Sequence, residues 1–395
     1  MGCTMVETAA PAVLARKARR TISAHYWVTL LMVAALAPAL RVAGLPLRFA
    51  WAEYFRDYWV FLVAESIVGG VILYVAGAPV AESLGPFFRR YSRQQRRFFF
   101  LLPMVAILIL ALGIRAGLLA SVATIVMLEV KDRIEENHIG LLKVTADIFW
   151  PTAYLFAGAI VVSAYNEAIA ALRYNGAAEF VLKHWDSVLL GGHSVSGFAH
   201  AFIAMWPGSI PWMEFIYFGT FAQTGGCIAF LALTEGRSRT LQYVGTILIA
   251  FYIALVFFYL WPATGPYASC TDHYSVVPNG PVVYHLQRLV VDALERLRSG
   301  PPLSAIGPEY YIAIPSMHFG QTLIALWFLR KWKRLLNLLI AFDVLLVPAI
   351  LLLENHYLVD LIAAVPVAAL AIAISGRDTR TSTATNPPPR TLISA

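Results

Sequence analysis

The sequence predicts an all-α, polytopic integral membrane protein with about ten transmembrane helices. Three observations carry this expectation. Of 395 residues, 59% are hydrophobic and only 13% are charged, about half the ~25% charged share of a soluble domain. Apolar stretches close to the ~20 residues needed to cross a hydrocarbon core recur along the chain. Lysine and arginine also segregate between alternate loops, as the positive-inside rule requires. The same profile excludes a disordered chain, a collagen and a small disulfide scaffold. Cys3, Cys227 and Cys270 close one bridge at most and match no metal-ligand spacing. The net charge of +7 therefore reads as loop asymmetry and not as a nucleic-acid footprint.

The spans follow in order. The first is expected at Tyr26–Gly44, after a basic segment holding Arg16, Lys17, Arg19 and Arg20. The second is Tyr58–Ala81, with Trp51, Tyr58 and Trp59 as interfacial anchors at its entry. Phe98–Val130 is too long for one upright crossing and is interrupted by Gly113-Ile-Arg-Ala-Gly117, so it reads as a tight hairpin of two short spans. Ile148–Tyr165, Met213–Thr234, Leu241–Trp261, the shorter Ile314–Leu329, Leu335–Leu353 and Tyr357–Ile374 complete the ten. Residues 1–146 thus form an N-terminal region of about four spans and residues 147–375 a block of six. Residues 376–395, with Asn386-Pro-Pro-Pro-Arg390, read as a disordered cytoplasmic tail. With both termini cytoplasmic, 21 of the 30 lysines and arginines fall inside, and a single span across Phe98–Val130 would invert that bias. No cleavable signal peptide is expected, which suits a multi-pass protein of the cell membrane. Asn166–Trp212 and Pro262–Ala313 exceed what a connection requires, the latter with a short helix expected near Tyr284–Arg298. Long loops in compact proteins tend to be functional, and both emerge on the outer face.

Two of the nine histidines stand out on that same face. His318 lies in Ile314-Pro-Ser-Met-His-Phe-Gly320, at the outer end of a span, and His356 lies in Glu354-Asn-His-Tyr-Leu-Val-Asp360, between two spans. Pro315 suits the first turn of a helix and Ser316 suits capping one of its free donors, and such a helix start favours an anion. If the last span begins near His356, Asp360 shares its helical face four residues on and can brace the imidazole. A braced histidine facing a second one suggests nucleophile and general acid. The remaining histidines, such as His25, His138, His184, His200, His273 and His285, read as interfacial or helix-pairing residues. No HExxH spacing exists and no third ligand is identifiable, so no metal and no cofactor is expected.

Pro315-Ser316-Met317-His318 and His356-Tyr357-Leu358-Val359-Asp360 resemble the PS-x-H and HYxxD motifs of the type 2 phosphatidic acid phosphatase superfamily. The likeness is closest to its inositol phosphorylceramide synthase-like and sphingomyelin synthase-like branch. Phe258–Pro266 looks like the proline-rich close of that branch's third core helix, and Trp185–Gly191 is similar to its D-x-x-L-x-G segment. The resemblance covers about Ile148–Ile374, a six-helix phosphatase or phosphotransferase core. It implies metal-independent chemistry in which His356 attacks phosphorus to form a phosphohistidine, Asp360 holds it, and His318 protonates the leaving oxygen. Ser316 and Tyr357 would belong to the substrate site.

The sequence departs from the phosphatase branch in one respect. Where that branch places Ser-Arg ahead of its second catalytic histidine, this chain has Ala349 and Ile350, which favours the transferase-like branch. Phosphate charge must then be balanced elsewhere, and Arg173, Lys183, Arg288, Arg296 and Arg298 are the outer-face candidates. The expected substrate is a lipid-linked phosphate, with an alcohol as possible acceptor; oligomeric state is not legible. Two other readings compete. Glu53 and Asp57 in the first outer loop suit a glycosyltransferase that uses a lipid-linked sugar. Glu65, Asp147 and Asp343 at membrane depth suit a transporter, although paired broken helices are missing.

Overall fold

The computed structural model describes residues 24–45, 138–269, 282–299 and 312–383. Ten α-helices occur among them and no strand: α1 (Ala24–Val42), α2 (His138–Arg173), α3 (Ala177–Leu189), α4 (Val195–Met205), α5 (Ile210–Thr234), α6 (Arg237–Leu260), α7 (Val282–Ser299), α8 (Met317–Leu329), α9 (Lys333–Leu352) and α10 (Leu358–Thr383). Six are long and apolar enough to cross a membrane, namely α1, α2, α5, α6, α9 and α10. The architecture is therefore that of an all-α polytopic membrane protein. The spans expected at Tyr58–Ala81 and within Phe98–Val130 lie outside the described residues.

Centrality in the bundle follows from apolar residues on every side of one helix. Along α6, Tyr243, Val244, Ile247, Leu248, Ala250 and Phe258 are fully buried, the pattern of a helix enclosed by others and not lying on a surface. It packs against α2, α10, α8 and α1. Small residues permit the close approach: a Cβ at Gly158 of α2 would strike Leu248, and one at Gly245 would strike His25 of α1. Polar contacts then fix α1 in place. Thr29 and Tyr154 hydroxyls lie 2.9 Å apart, His25 Nδ1 lies 3.2 Å from the Tyr154 hydroxyl, and Tyr252 donates to Thr29 at 3.1 Å. A second seam joins α5, α8 and α9, where Thr224 donates to Gln321 at 3.1 Å and buried Asp343 faces Gln223 and Thr322.

The two ends of the bundle differ in charge. At one end Glu235 gathers Lys331 at 3.0 Å and Arg239 at 3.6 Å, with Arg237, Arg330, Lys333 and Arg334 alongside at the ends of α6, α8 and α9. At the other end lie the C-termini of α6 and α9, the N-termini of α8 and α10, and helices α3 and α4.

Four boundaries differ from the sequence reading, each for a physical reason. Helix α2 has 36 residues, about 54 Å at ~1.5 Å per residue, and so overruns the ~30 Å hydrocarbon core. Asn166 and Glu167 continue this helix, with Asn166 buried, where a loop was expected. The rest of that loop folds into α3 and α4, which bury Ala178, Leu182, Val195 and Ala199 while Phe180, Val188 and Met205 stay exposed. Helix α8 has only 13 residues, and its entry, Ala313–Ser316, is non-helical but buried, which is how irregular backbone is tolerated at such depth. Helix α10 runs on to Thr383, past the Gly376 start expected for the tail.

Candidate active site

The site is assembled where α8 and α10 begin. Ser316 caps α8, accepting from the Phe319 N–H at 3.4 Å, and its own N–H donates to the Asp360 carbonyl at 3.0 Å. That bond zips the first turn of α8 to the first turn of α10. Pro315 therefore precedes the cap, outside the helix, instead of occupying its first turn. The Ser316 side chain, fully buried, serves here as that cap.

Helix α10 owes its start to two buried carboxylates. Asp186 of α3 accepts from the Leu358 and Val359 N–H groups at 2.9 and 3.0 Å. Asp360 reaches back to the Tyr357 N–H at 2.7 Å, the reciprocal arm of a capping box. Burial pushes the Asp186 carboxyl above its usual range, against the pull of those two N–H groups. Since α10 starts at Leu358, His356 lies before the helix and not on its face. Asp360 Oδ2 is consequently 3.5 Å from His356 Nδ1, beyond a good hydrogen bond. The shorter contact on the same nitrogen is with the Ala313 carbonyl, which accepts from His356 Nδ1 at 2.8 Å. This carbonyl therefore acts on the ring beside Asp360, which keeps its ion-pair contact with Nδ1. It also fixes the proton on Nδ1 and leaves Nε2 with its lone pair.

Across from it, the His318 ring lies 5.8 Å from the His356 ring, centroid to centroid, at 61°. His318 is half-buried. Tyr217 of α5 lies against it, with ring centroids 4.3 Å apart and the hydroxyl 3.4 Å from Nδ1, and Phe221 meets it edge-on at 5.5 Å. The Tyr217 contact takes Nδ1, so Nε2 is the nitrogen left for chemistry.

Tyr357 does not stand free for a ligand. Its buried hydroxyl donates to Glu179 Oε2 at 3.0 Å, while Glu179 Oε1 accepts from the Thr264 N–H at 2.7 Å and hydroxyl at 2.9 Å. Burial raises the Glu179 carboxyl above its usual range, opposed by these donors and reinforced by the charge of Asp360. Burial raises the Tyr357 phenol as well, with Glu179 adding to it. The preceding loop fits tightly: Gly265 has φ +133, and a Cβ there would lie 2.5 Å from the Asn355 carbonyl oxygen. Gln287 of α7 locks the same segment from the other side, donating to the Leu353 carbonyl at 2.7 Å and to Asn355 Oδ1 at 2.9 Å.

The basic residues proposed for phosphate are not drawn into this cluster. Arg173 stacks over the Tyr259 ring at 4.9 Å, and Lys183, Arg288 and Arg296 are exposed; the side chain of Arg298 lies outside the described set. Among the described residues no group of three His, Cys, Asp or Glu side chains gathers as metal ligands would. Glu65, Glu53 and Asp57 lie outside the described residues.

Sequence reasoning missed Glu179, Tyr217 and the Ala313 carbonyl. Glu179 had a legible signal: with Leu182 and Asp186 it occupies positions i, i+3 and i+7 of amphipathic α3, so two acids share its buried stripe. The carbonyl had none, because every residue carries one.

A family model described as the PAP2 superfamily matches residues 185–374. The matched segment runs from Asp186's neighbour Trp185 through both histidines to the apolar part of α10. The match supports the type 2 phosphatidic acid phosphatase superfamily, whose members are phosphatases and phosphotransferases, and so supports an enzyme. Neither a curated protein nor a solved structure matches the chain.

Proposed function

We propose that this chain is a membrane-embedded phosphotransferase or phosphatase that acts on a lipid-linked phosphate at the non-cytosolic face, through a phosphohistidine on His356. The observation that carries the reading is the His356 ring held by Nδ1 at 2.8 Å from the Ala313 carbonyl, with His318 5.8 Å away across the site. An Nδ1–H tautomer presents Nε2 as nucleophile. That nitrogen attacks phosphorus, forming an N–P bond while the bond from phosphorus to the leaving oxygen breaks. His318 gives its proton to that oxygen. Water or an acceptor alcohol then attacks phosphorus and passes its proton to His318. The N–P bond breaks and both histidines are restored. Attack and departure on opposite sides of phosphorus call for two groups facing one another.

Asp360, 3.5 Å from His356 Nδ1, steadies the positive charge that the imidazole gains during transfer. The start of α8 favours the anionic phosphoryl group. Placement at the non-cytosolic face is supported by the basic residues at the opposite end of the bundle. Ala349 and Ile350, in place of the phosphatase branch's Ser-Arg, support transfer to an alcohol over simple hydrolysis. The machinery named here uses no metal.

The test uses the full chain in proteoliposomes with phosphatidic acid carrying a labelled phosphate, with and without an alcohol acceptor. Label should be trapped on the protein in an acid-labile, alkali-stable form that His356→Gln abolishes. His318→Gln should slow turnover by about 10²–10⁴-fold, the range of a lost general acid. Unchanged turnover in both variants would overturn the proposal.

A further inference from the structure

The contacts around His356 close into a ring. Starting at Glu179, Oε2 accepts from the Tyr357 hydroxyl at 3.0 Å, and Tyr357 is covalently next to His356. His356 Nδ1 donates to the Ala313 carbonyl at 2.8 Å, and the Ala313 N–H donates to the Ala263 carbonyl at 2.8 Å. Ala263 is covalently next to Thr264, whose N–H and hydroxyl return to Glu179 Oε1 at 2.7 and 2.9 Å. Four segments distant in sequence meet in it: α3, the loop after α6, the entry to α8 and the entry to α10. Each member is buried, and Glu179 is the side chain of the ring that ties two other segments to its own, the loop after α6 through Thr264 and the entry to α10 through Tyr357.

We infer that Glu179 is the positioning residue for the nucleophile: by closing this ring it sets the distance between Ala313 and His356 and so keeps the proton on Nδ1 and the lone pair on Nε2. The physical argument is one of alternatives. An imidazole exchanges its proton between Nδ1 and Nε2 unless a partner selects one. The Ala313 carbonyl is such a partner only while it stays within hydrogen-bond reach, and it sits on irregular backbone with no helix of its own to hold it. Glu179 supplies the missing rigidity from α3, which Asp186 in turn fastens to α10. The carboxylate is fully used in this role, with four donors from Thr264, Tyr357 and Tyr174, so it touches no reacting atom. This inference rests on the reading of His356 as nucleophile only for its effect on rate; the tautomer itself is independent of it.

The test therefore reads both. Full chain labelled with ¹⁵N-histidine is reconstituted in nanodiscs, and the His356 ring signals are assigned by their loss in His356→Gln. Wild type should show a single Nδ1–H tautomer. Glu179→Ala should show a mixture and lower kcat about 10- to 100-fold, as a misplaced catalytic group does, with KM on short-chain phosphatidic acid within about twofold. Glu179→Gln should rescue both readouts, because its amide oxygen keeps the Thr264 donors and its NH₂ can donate to the Tyr357 oxygen. Should Glu179→Ala not fold, Tyr357→Phe opens the ring at one bond and should shift the tautomer in the same direction. A wild-type tautomer signal in the ring-opened variant overturns the inference, whatever happens to rate. A shifted tautomer in a protein whose wild type turns over no phosphate leaves the inference standing and removes the proposed function instead.

Discussion

Removing the Asp186 carboxylate tests how the start of α10 is held. In Asp186→Ala, the Leu358 and Val359 N–H groups lose acceptors now at 2.9 and 3.0 Å. The acid itself is only 1% exposed, so water cannot simply take its place. An orphaned buried donor costs about 1–3 kcal/mol, and a lost helix cap about 1 kcal/mol. Both bonds are part-buried, which places each at the lower end. The sum is about 2–4 kcal/mol, or roughly 2–5 °C in thermal midpoint at the ~2.1 cal/mol/K per residue of unfolding entropy that a chain of this size carries. Asp186→Asn keeps one oxygen and should lose about half of that. The assay is thermal unfolding in detergent, followed by intrinsic fluorescence, with turnover measured on the same preparations. Because α10 carries Tyr357 and Asp360 at its start, turnover should fall faster than stability. An Asp186→Ala midpoint within about 1 °C of wild type would refute the capping argument, since two buried N–H groups cannot be abandoned that cheaply.

Two further predictions concern the same end of the bundle. Gly265→Ala should depress turnover and lower the midpoint, because its Cβ would sit 2.5 Å from the Asn355 carbonyl oxygen beside the nucleophile. Gly176→Ala, also at positive φ but with nothing within 4 Å, is the control and should show strain alone, about 1–3 kcal/mol. The pH dependence of stability has a fixed sign at Glu179. Its folded-state pKa is raised by burial above 4.5, so the folded state holds this proton more tightly than the unfolded chain. Its contribution is fully present below that value and is lost as pH rises through the raised one. Thermal midpoints of wild type minus Glu179→Gln, taken from pH 4 to pH 8, should therefore fall with rising pH; a flat or rising difference would contradict the burial of this carboxyl.

Much of the fold was legible because its cause is local. The apolar runs of α1, α5, α6, α9 and α10 were readable to within a few residues, since a helix in lipid satisfies its own backbone and needs ~20 apolar residues to do so. Boundaries failed where a tertiary neighbour overrode composition. Asn166 looked like the start of a loop but is buried inside α2, and Pro315 looked like a first-turn proline but stands before the Ser316 cap. The five candidate phosphate ligands were chosen by charge and face alone, and the fold leaves Arg173, Lys183, Arg288 and Arg296 at the surface.

The membrane class, the alternation of basic loops and the two histidine motifs could be read directly, because each is written in residue type and spacing over a short stretch. What holds those histidines is visible only in the folded bundle. The Ala313 carbonyl that orients His356 is 43 residues away, and Glu179, which fastens Tyr357, is 178 residues away. Hydrogen bonds of that reach depend on where α3 and the loops after α6 and before α8 come to rest, and packing of the whole bundle settles that position.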